Sequence, residues 1–228
     1  MGEGNERTKM RIRTPVHRIG VMENINGVPV EPEPMLFAAD IGFCDEFGGD
    51  LTRAFVKALP ADWQHDLGLI IDSRVHMLKP GWFPAIPGWH LDEVPRDSVN
   101  GQPDLGLIDP ETQTEHIAAI VDTGSLAFTE FLIDRPDVFL PPRCPEDHSL
   151  SLWQLHDAII ESASCKTVVS VGNGELFKFG FSNYHRAVAA KADGWRFFIR
   201  ATRKSRRKTE NKIRRQTQVY LSDERRGW

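Results

Sequence analysis

Apolar positions along this chain fall mostly in short runs broken by glycine, proline and asparagine, the spacing of β-strands. Only two stretches carry helical spacing. "LTRAFVKAL", ending before Pro60, sets Leu51, Phe55 and Leu59 on one side and predicts a short helix. "SLSLWQLHDAIIESA" predicts a second, with Ser149 or Ser151 as its cap and Leu152, Leu155, Ile159 and Ile160 as its stripe. "LGLIIDSRVHMLKPG" predicts one or two strands closed by a Pro-Gly turn. Three hairpins are predicted next: "EHIAAIVD" with "SLAFTEFLI" around Asp122-Thr123-Gly124, the two halves of "KTVVSVGNGELFKFGF" across Gly-Asn-Gly, and "YHRAVAA" with "GWRFFIRAT" across "KADG". "TQVYL" reads as an edge strand. About eight short strands after an N-terminal helical segment predict a mainly β, jelly-roll or cupin-like barrel with a few flanking helices.

The Pro-rich segments 94–114 and 134–148 are flanked by strands and read as loops, so the 228 residues form one domain. Its core barrel is placed at about 70–202, supported by 14–69 and followed by a basic extension, 203–228. No internal repeat is visible, which excludes a solenoid.

Composition changes this picture in three ways. Cys44, Cys144 and Cys165 are odd in number and far apart, so neither a disulfide framework nor a zinc knuckle is indicated. The polar start lacks the apolar segment of a secretory signal, and no run approaches a membrane span, so the expected location is cytoplasmic. Charge is asymmetric: from Arg203 onward ten basic and three acidic side chains leave +7, against −11 over the preceding residues. Such a tail can meet a polyanion through 203–215, although its charges present no face directed at an anion of defined shape. It reads as lying apart from any catalytic apparatus.

Candidate chemistry begins at "PGWHLDEVPR". In an extended segment His90 and Asp92 share one face while Leu91 and Glu93 share the other, and an imidazole beside a carboxylate is two thirds of a facial metal site. A further histidine, His185, follows "GELFKFGFSNY". The next strand then sets Arg196, Phe198 and Arg200 on one face. Burying guanidinium groups is costly unless an anion meets them, and their planar fork suits a carboxylate.

In this order and spacing, His90-x-Asp92, a distal His185 and an arginine eleven residues later resemble the Fe(II)/2-oxoglutarate-dependent dioxygenases. "GELFKFGFSNYHRA" is similar to that family's lead-in to its distal ligand, and the resemblance runs from about Arg74 to Thr202. It implies a double-stranded β-helix and an iron held by His90, Asp92 and His185. It also implies 2-oxoglutarate and O2 as cosubstrates, and hydroxylation with release of succinate and CO2. Arg196 stands at the family's cosubstrate-binding offset. Arg200 stands where taurine-dioxygenase-like members meet an anionic substrate. Aspartate at position 92 argues against the halogenating branch.

Ser125 and Thr129, on a central strand, are candidate hydrogen-bond donors to the cosubstrate. His76 is a candidate for the barrel mouth, and Trp82 and Trp89 for a substrate wall. His116 and His156 read as surface or satisfied core residues. Two rivals stand beside the oxygenase. One is a cupin-like metalloprotein without 2-oxoglutarate, which has no need of a buried Arg196. The other is a nucleic-acid-binding module acting through "RKSRRKTENKIRR", with salt-sensitive binding. The substrate, a small molecule or one derived from nucleic acid, has no code in the sequence, and no membrane partner is expected.

Overall fold

The computed structural model describes residues 16–109, 113–134, 138–144, 151–163 and 166–221; Ser149, Cys165 and part of the 134–148 loop lie outside them. The described residues begin with β1 (His17–Val21) and β2 (Met35–Phe37), then α1 (Ile41–Phe47), α2 (Asp50–Ala58) and the single turn α3 (Ala61–Gln64). Next come β3 (Ile70–Leu78), β4 (Glu115–Asp122), β5 (Thr129–Asp134) and α4 (Leu152–Ser162). They finish with β6 (Thr167–Ser170), β7 (Glu175–Gly180), β8 (His185–Ala187), β9 (Gly194–Arg203) and β10 (Lys212–Arg214).

Both expected helices form. Ser151 caps α4 in a reciprocal box with Gln154, as its Ser-x-x-Gln spacing allows. No helix of the described residues is long and apolar enough to cross a membrane.

Two antiparallel sheets result, one ordered β1-β7-β4-β9-β3 and the other β6-β5-β8, with β2 and β10 pairing apart from them. His90 bridges to His185 in β8, which adds the 90 segment to the smaller sheet. Along the chain, β3, β4, β7 and β9 thus lie in the larger sheet, and the 90 segment, β5, β6 and β8 in the smaller. This is a double-stranded β-helix, a jelly-roll relative of the cupins.

The three expected hairpins are corrected. The chain does turn at each place, but β4 and β5, β6 and β7, and β8 and β9 fall in opposite sheets. A two-residue turn would hold partners side by side. Connectors such as 123–128 and 188–193 are long enough to cross the gap of ~10 Å between facing sheets. The Gly-Asn-Gly turn is spent elsewhere: Gly174 N–H donates to Ile120 and the Asn173 side chain accepts from Asp122 N–H, both at the end of β4. The expected "TQVYL" strand reduces to a single bridge, Tyr220 to Phe83, while β10 forms just upstream.

Strand alternation divides the larger sheet into two faces. Ile71, Val75, Ile117, Ala119, Phe197 and Ile199 pack outward against Leu51 and Phe55 of α2. Ala118, Phe177, Phe179 and Phe198 point inward and meet Phe131 of the smaller sheet, with ring centroids 5.2 Å (Phe177) and 5.1 Å (Phe179) from it. Outside the smaller sheet, Leu152, Trp153 and Ile160 of α4 pack on Trp89, Leu132 and Tyr184. The interior between the sheets is where polar side chains of β3 and β9 meet the ligand-type residues.

Candidate metal centre

Backbone pairing brings the two histidine segments together. His90 N–H donates to the His185 carbonyl and His185 N–H to the His90 carbonyl, each at 3.1 Å, and the imidazole rings lie 4.5 Å apart. Helix α4 fixes the approach: buried Asp157 accepts from Trp89 N–H at 2.7 Å, and Glu161 accepts from the Trp89 indole at 2.7 Å. Gly88 precedes this with φ +101°, a left-handed conformation that favours glycine. The segment is an isolated bridge rather than a regular strand, so alternation fails after Asp92. Leu91 buries outward among Trp89 and Trp153, as expected. Glu93, however, has φ +53° and turns back into the cavity, where it accepts from the Ser205 hydroxyl.

One ligand atom each from His90, Asp92 and His185 lies within 4.8 Å of the others. Each ring's Nδ1 faces a backbone carbonyl, Gly88 at 2.9 Å and Asn183 at 3.0 Å. A carbonyl only accepts, so Nδ1 carries the proton and Nε2 keeps its lone pair, the tautomer a metal ligand requires. Burial, with His185 beside it, pushes the His90 imidazole down to about 4, so it is neutral at pH 7. Burial opposes charge on Asp92, but adjacent Arg200 and His185 hold its carboxyl well below the usual range. The set has the composition of a two-histidine, one-carboxylate facial triad. The donor chemistry and protonation states fit a ferrous ion.

The triad opens into a cavity of about 670 Å³, of the size that takes small molecules. Arg196 lies in its wall, 4% exposed, donating through Nε to the Ala127 carbonyl at 2.6 Å and through Nη2 to the Thr129 hydroxyl at 3.4 Å. It has no ion pair among the described residues, and burial lowers its pKa to about 10. Arg200 is placed differently: one nitrogen is bonded to Asp92 and another lies 4.0 Å from Glu93.

Thr129 therefore joins Arg196, whereas Ser125 does not line the cavity; its hydroxyl donates to Asp122. His76 does line the cavity, with Nε2 2.8 Å from the Thr217 hydroxyl. Trp82 and Trp89 do not, being packed in apolar clusters, and Trp153 of α4 takes the expected wall position. His156 is a satisfied core residue between the Pro141 carbonyl and the Tyr184 hydroxyl, and His116 is buried against Thr202.

Among the cavity residues that sequence reasoning missed are Asp72, Arg74, Arg207 and Arg214. The first two carried a signal: Asp72, Arg74 and His76 alternate along β3, which puts all three on the inner face. The basic extension is not apart from the site. Arg207 is doubly bonded to Asp72, at 2.8 and 3.1 Å, and Arg214 reaches the same carboxylate at 3.4 Å.

Solved structures similar to this chain include a novel N-substituted L-amino acid dioxygenase from Burkholderia ambifaria AMMD, at 15% identity and TM-score 0.33 over 58% of this chain and 47% of that one. AviO1 from Streptomyces viridochromogenes Tue57 matches at 15% and 0.33, over 67% and 54% of the two chains. The non-heme monooxygenase ThoJ matches at 16% and 0.33, over 72% and 65%. The chain spans about half the length of the first two. No protein-family model matches it, and no curated protein is significantly similar in sequence. In residue order and strand frame the site fits the pattern of the Fe(II)/2-oxoglutarate-dependent dioxygenases.

Proposed function

We propose that this chain is an Fe(II)- and 2-oxoglutarate-dependent oxygenase that hydroxylates a small organic substrate and releases succinate and CO2. One observation carries the reading. The three ligand-type side chains open into the same cavity as Arg196, a buried guanidinium with no carboxylate partner among the described residues. A cupin without 2-oxoglutarate gives no reason for that cation, whereas the far carboxylate of 2-oxoglutarate matches its fork.

His90, Asp92 and His185 are the residues that would hold the ferrous ion. When bound, iron with 2-oxoglutarate and O2 supplies the oxidising power for C–H hydroxylation. The chain's own part is binding and orientation. The Gly88 and Asn183 carbonyls keep both imidazoles in the ligand tautomer. Arg196 and Thr129 hold the diacid, while Phe131, Phe177 and Phe179 wall the site against water. The extension contributes two of its arginines to an internal ion cluster with Asp72, which favours the oxygenase over a nucleic-acid module.

Anaerobic titration with Fe(II) and then 2-oxoglutarate, followed by optical absorption and calorimetry, tests this. One equivalent of each is expected to bind, and admission of O2 to release succinate. Iron binding with no response to 2-oxoglutarate would point to the cupin reading instead.

A further inference from the structure

The cavity wall carries more positive charge than its own acids answer. Seven arginines line it, against Asp72, Asp92 and Glu93. Asp72 is fully engaged by Arg207, Arg214 and the Ala38 N–H. Asp92 is bonded to Arg200, and Glu93 accepts from Ser205 with Arg207 at 3.8 Å and Arg200 at 4.0 Å. Arg186 turns to Glu130 and Glu161, and Arg96 to the Gly101 carbonyl.

With Arg196 assigned to the far carboxylate of 2-oxoglutarate, that leaves Arg74, opposite Phe198 in the β3–β9 ladder. It is half-buried, lines the cavity, and makes no hydrogen bond or ion pair among the described residues. Burial lowers its pKa, as do Arg214 and Arg200, two near charges of the wrong sign, against Asp72 and the Tyr220 phenol, which raise it. A guanidinium so placed loses hydration without gaining a partner, a cost that an oxyanion at the same point removes.

We infer that Arg74, with Arg214 and Tyr220 beside it, is an oxyanion subsite, and that the substrate is a small organic anion with an apolar body. A carboxylate is the head group of choice because it fits the planar fork. Ile86, Trp153 and Phe198 of the same wall supply apolar surface for the body. The word "substrate" rests on the proposed function; the anion subsite does not.

The test uses the full chain saturated with Fe(II) and 2-oxoglutarate without oxygen, and in parallel the bare protein. Binding of hexanoate, hexanesulfonate, hexyl phosphate, 1-hexanol and hexylammonium is followed by ligand-observed NMR. Anionic probes are expected to bind in the presence of 2-oxoglutarate and the neutral and cationic ones not, with the head-group order identifying the oxyanion. Arg74→Gln should weaken the best anion roughly 10- to 100-fold, the loss of one charge-assisted contact. Lys79→Gln, an exposed lysine paired with Asp193, should leave it unchanged.

Equal binding of alcohol and carboxylate overturns the inference without any variant. Displacement of the anion by 2-oxoglutarate also overturns it, since the probe then reports the cosubstrate's place. If Arg74→Gln does not fold, Arg214→Gln carries the same comparison, and an unchanged affinity there counts against the subsite. If 2-oxoglutarate does not bind at all but the bare protein still selects anions through Arg74, the proposed function fails and the subsite stands.

Discussion

Arg196 and Arg200 project from the same face of β9, four residues apart, into opposite surroundings. Arg196 sits at an inner end with Thr129 and His76, where no carboxylate lies within ion-pair distance among the described residues. Arg200 sits at an outer end crowded with charge, bonded to Asp92 and near Glu93, with Arg207 and Arg214 sharing Asp72 beyond. Strand phase makes the two equivalent, and neighbours make them different. The inner end is a buried cation suited to an incoming diacid, and the outer end is an ion network in which Arg200, Arg207 and Arg214 each already meet a carboxylate and Arg74 does not.

The strongest way to break this comparison is to remove what both ends flank. Alanine at His90, Asp92 or His185 is expected to abolish bound iron and succinate release, checked by metal analysis and coupled turnover. Three variants with full activity would refute the site.

Next in size is Arg196→Met. Its 2-oxoglutarate affinity should fall by about 30- to 1,000-fold, roughly 2–4 kcal/mol, with Fe(II) binding intact. The bare variant should also melt at a higher temperature, because it no longer buries a cation whose lost hydration is offset only by Ala127, Thr129 and the more distant Asp122. Calorimetry and thermal melts with and without 2-oxoglutarate measure both. A variant that loses stability instead would mean that the Ala127 and Thr129 hydrogen bonds already satisfy the guanidinium.

The sequence made the positions of this site legible but not its partners. His90, Asp92, His185 and Arg196 stand out because their order and spacing resemble those of the Fe(II)/2-oxoglutarate-dependent dioxygenases, and two imidazoles with a carboxylate are donor types that a ferrous ion takes. The three hairpins were misread because turn residues report that the chain reverses, not which sheet receives it, and in a double-stranded β-helix successive strands mostly change sheets. Glu93 was misplaced by a single left-handed residue that ends the alternation. Arg207 and Arg214 looked like a solvated run because their partner, Asp72, lies more than a hundred residues away. Only folding makes that pairing visible.

A pH experiment sharpens the inner end. Burial, together with Arg196 and Arg74, pushes His76 down to about 3, against about 6.5 in the unfolded chain. Between those values the unfolded state takes up a proton that the folded state refuses. The stability His76 contributes is therefore complete above about 6.5 and is lost as pH falls. At pH 5 the loss is about 2 kcal/mol. Denaturant melts at pH 7, 6 and 5 should show this slope, and His76→Gln should flatten it. An unaltered slope in the variant would place the acid sensitivity elsewhere, in His156 for instance, which burial lowers to about 4.

The smallest effect is expected at the outer end, and it decides between the two arginines. Arg200→Gln removes a cation from Asp92, a carboxylate that a bound ferrous ion would engage in its place. It leaves the Arg196 and Thr129 contacts untouched, so 2-oxoglutarate affinity should change by less than tenfold, about 1.4 kcal/mol. Iron affinity should rise, because a positive charge no longer competes for the Asp92 oxygen that also lies 3.5 Å from His185 Nε2. Parallel titrations of Arg196→Met and Arg200→Gln measure the ordering directly. If Arg200→Gln costs more 2-oxoglutarate affinity than Arg196→Met, the anchor is Arg200. The ion network at the outer end would then be one that opens to admit the diacid.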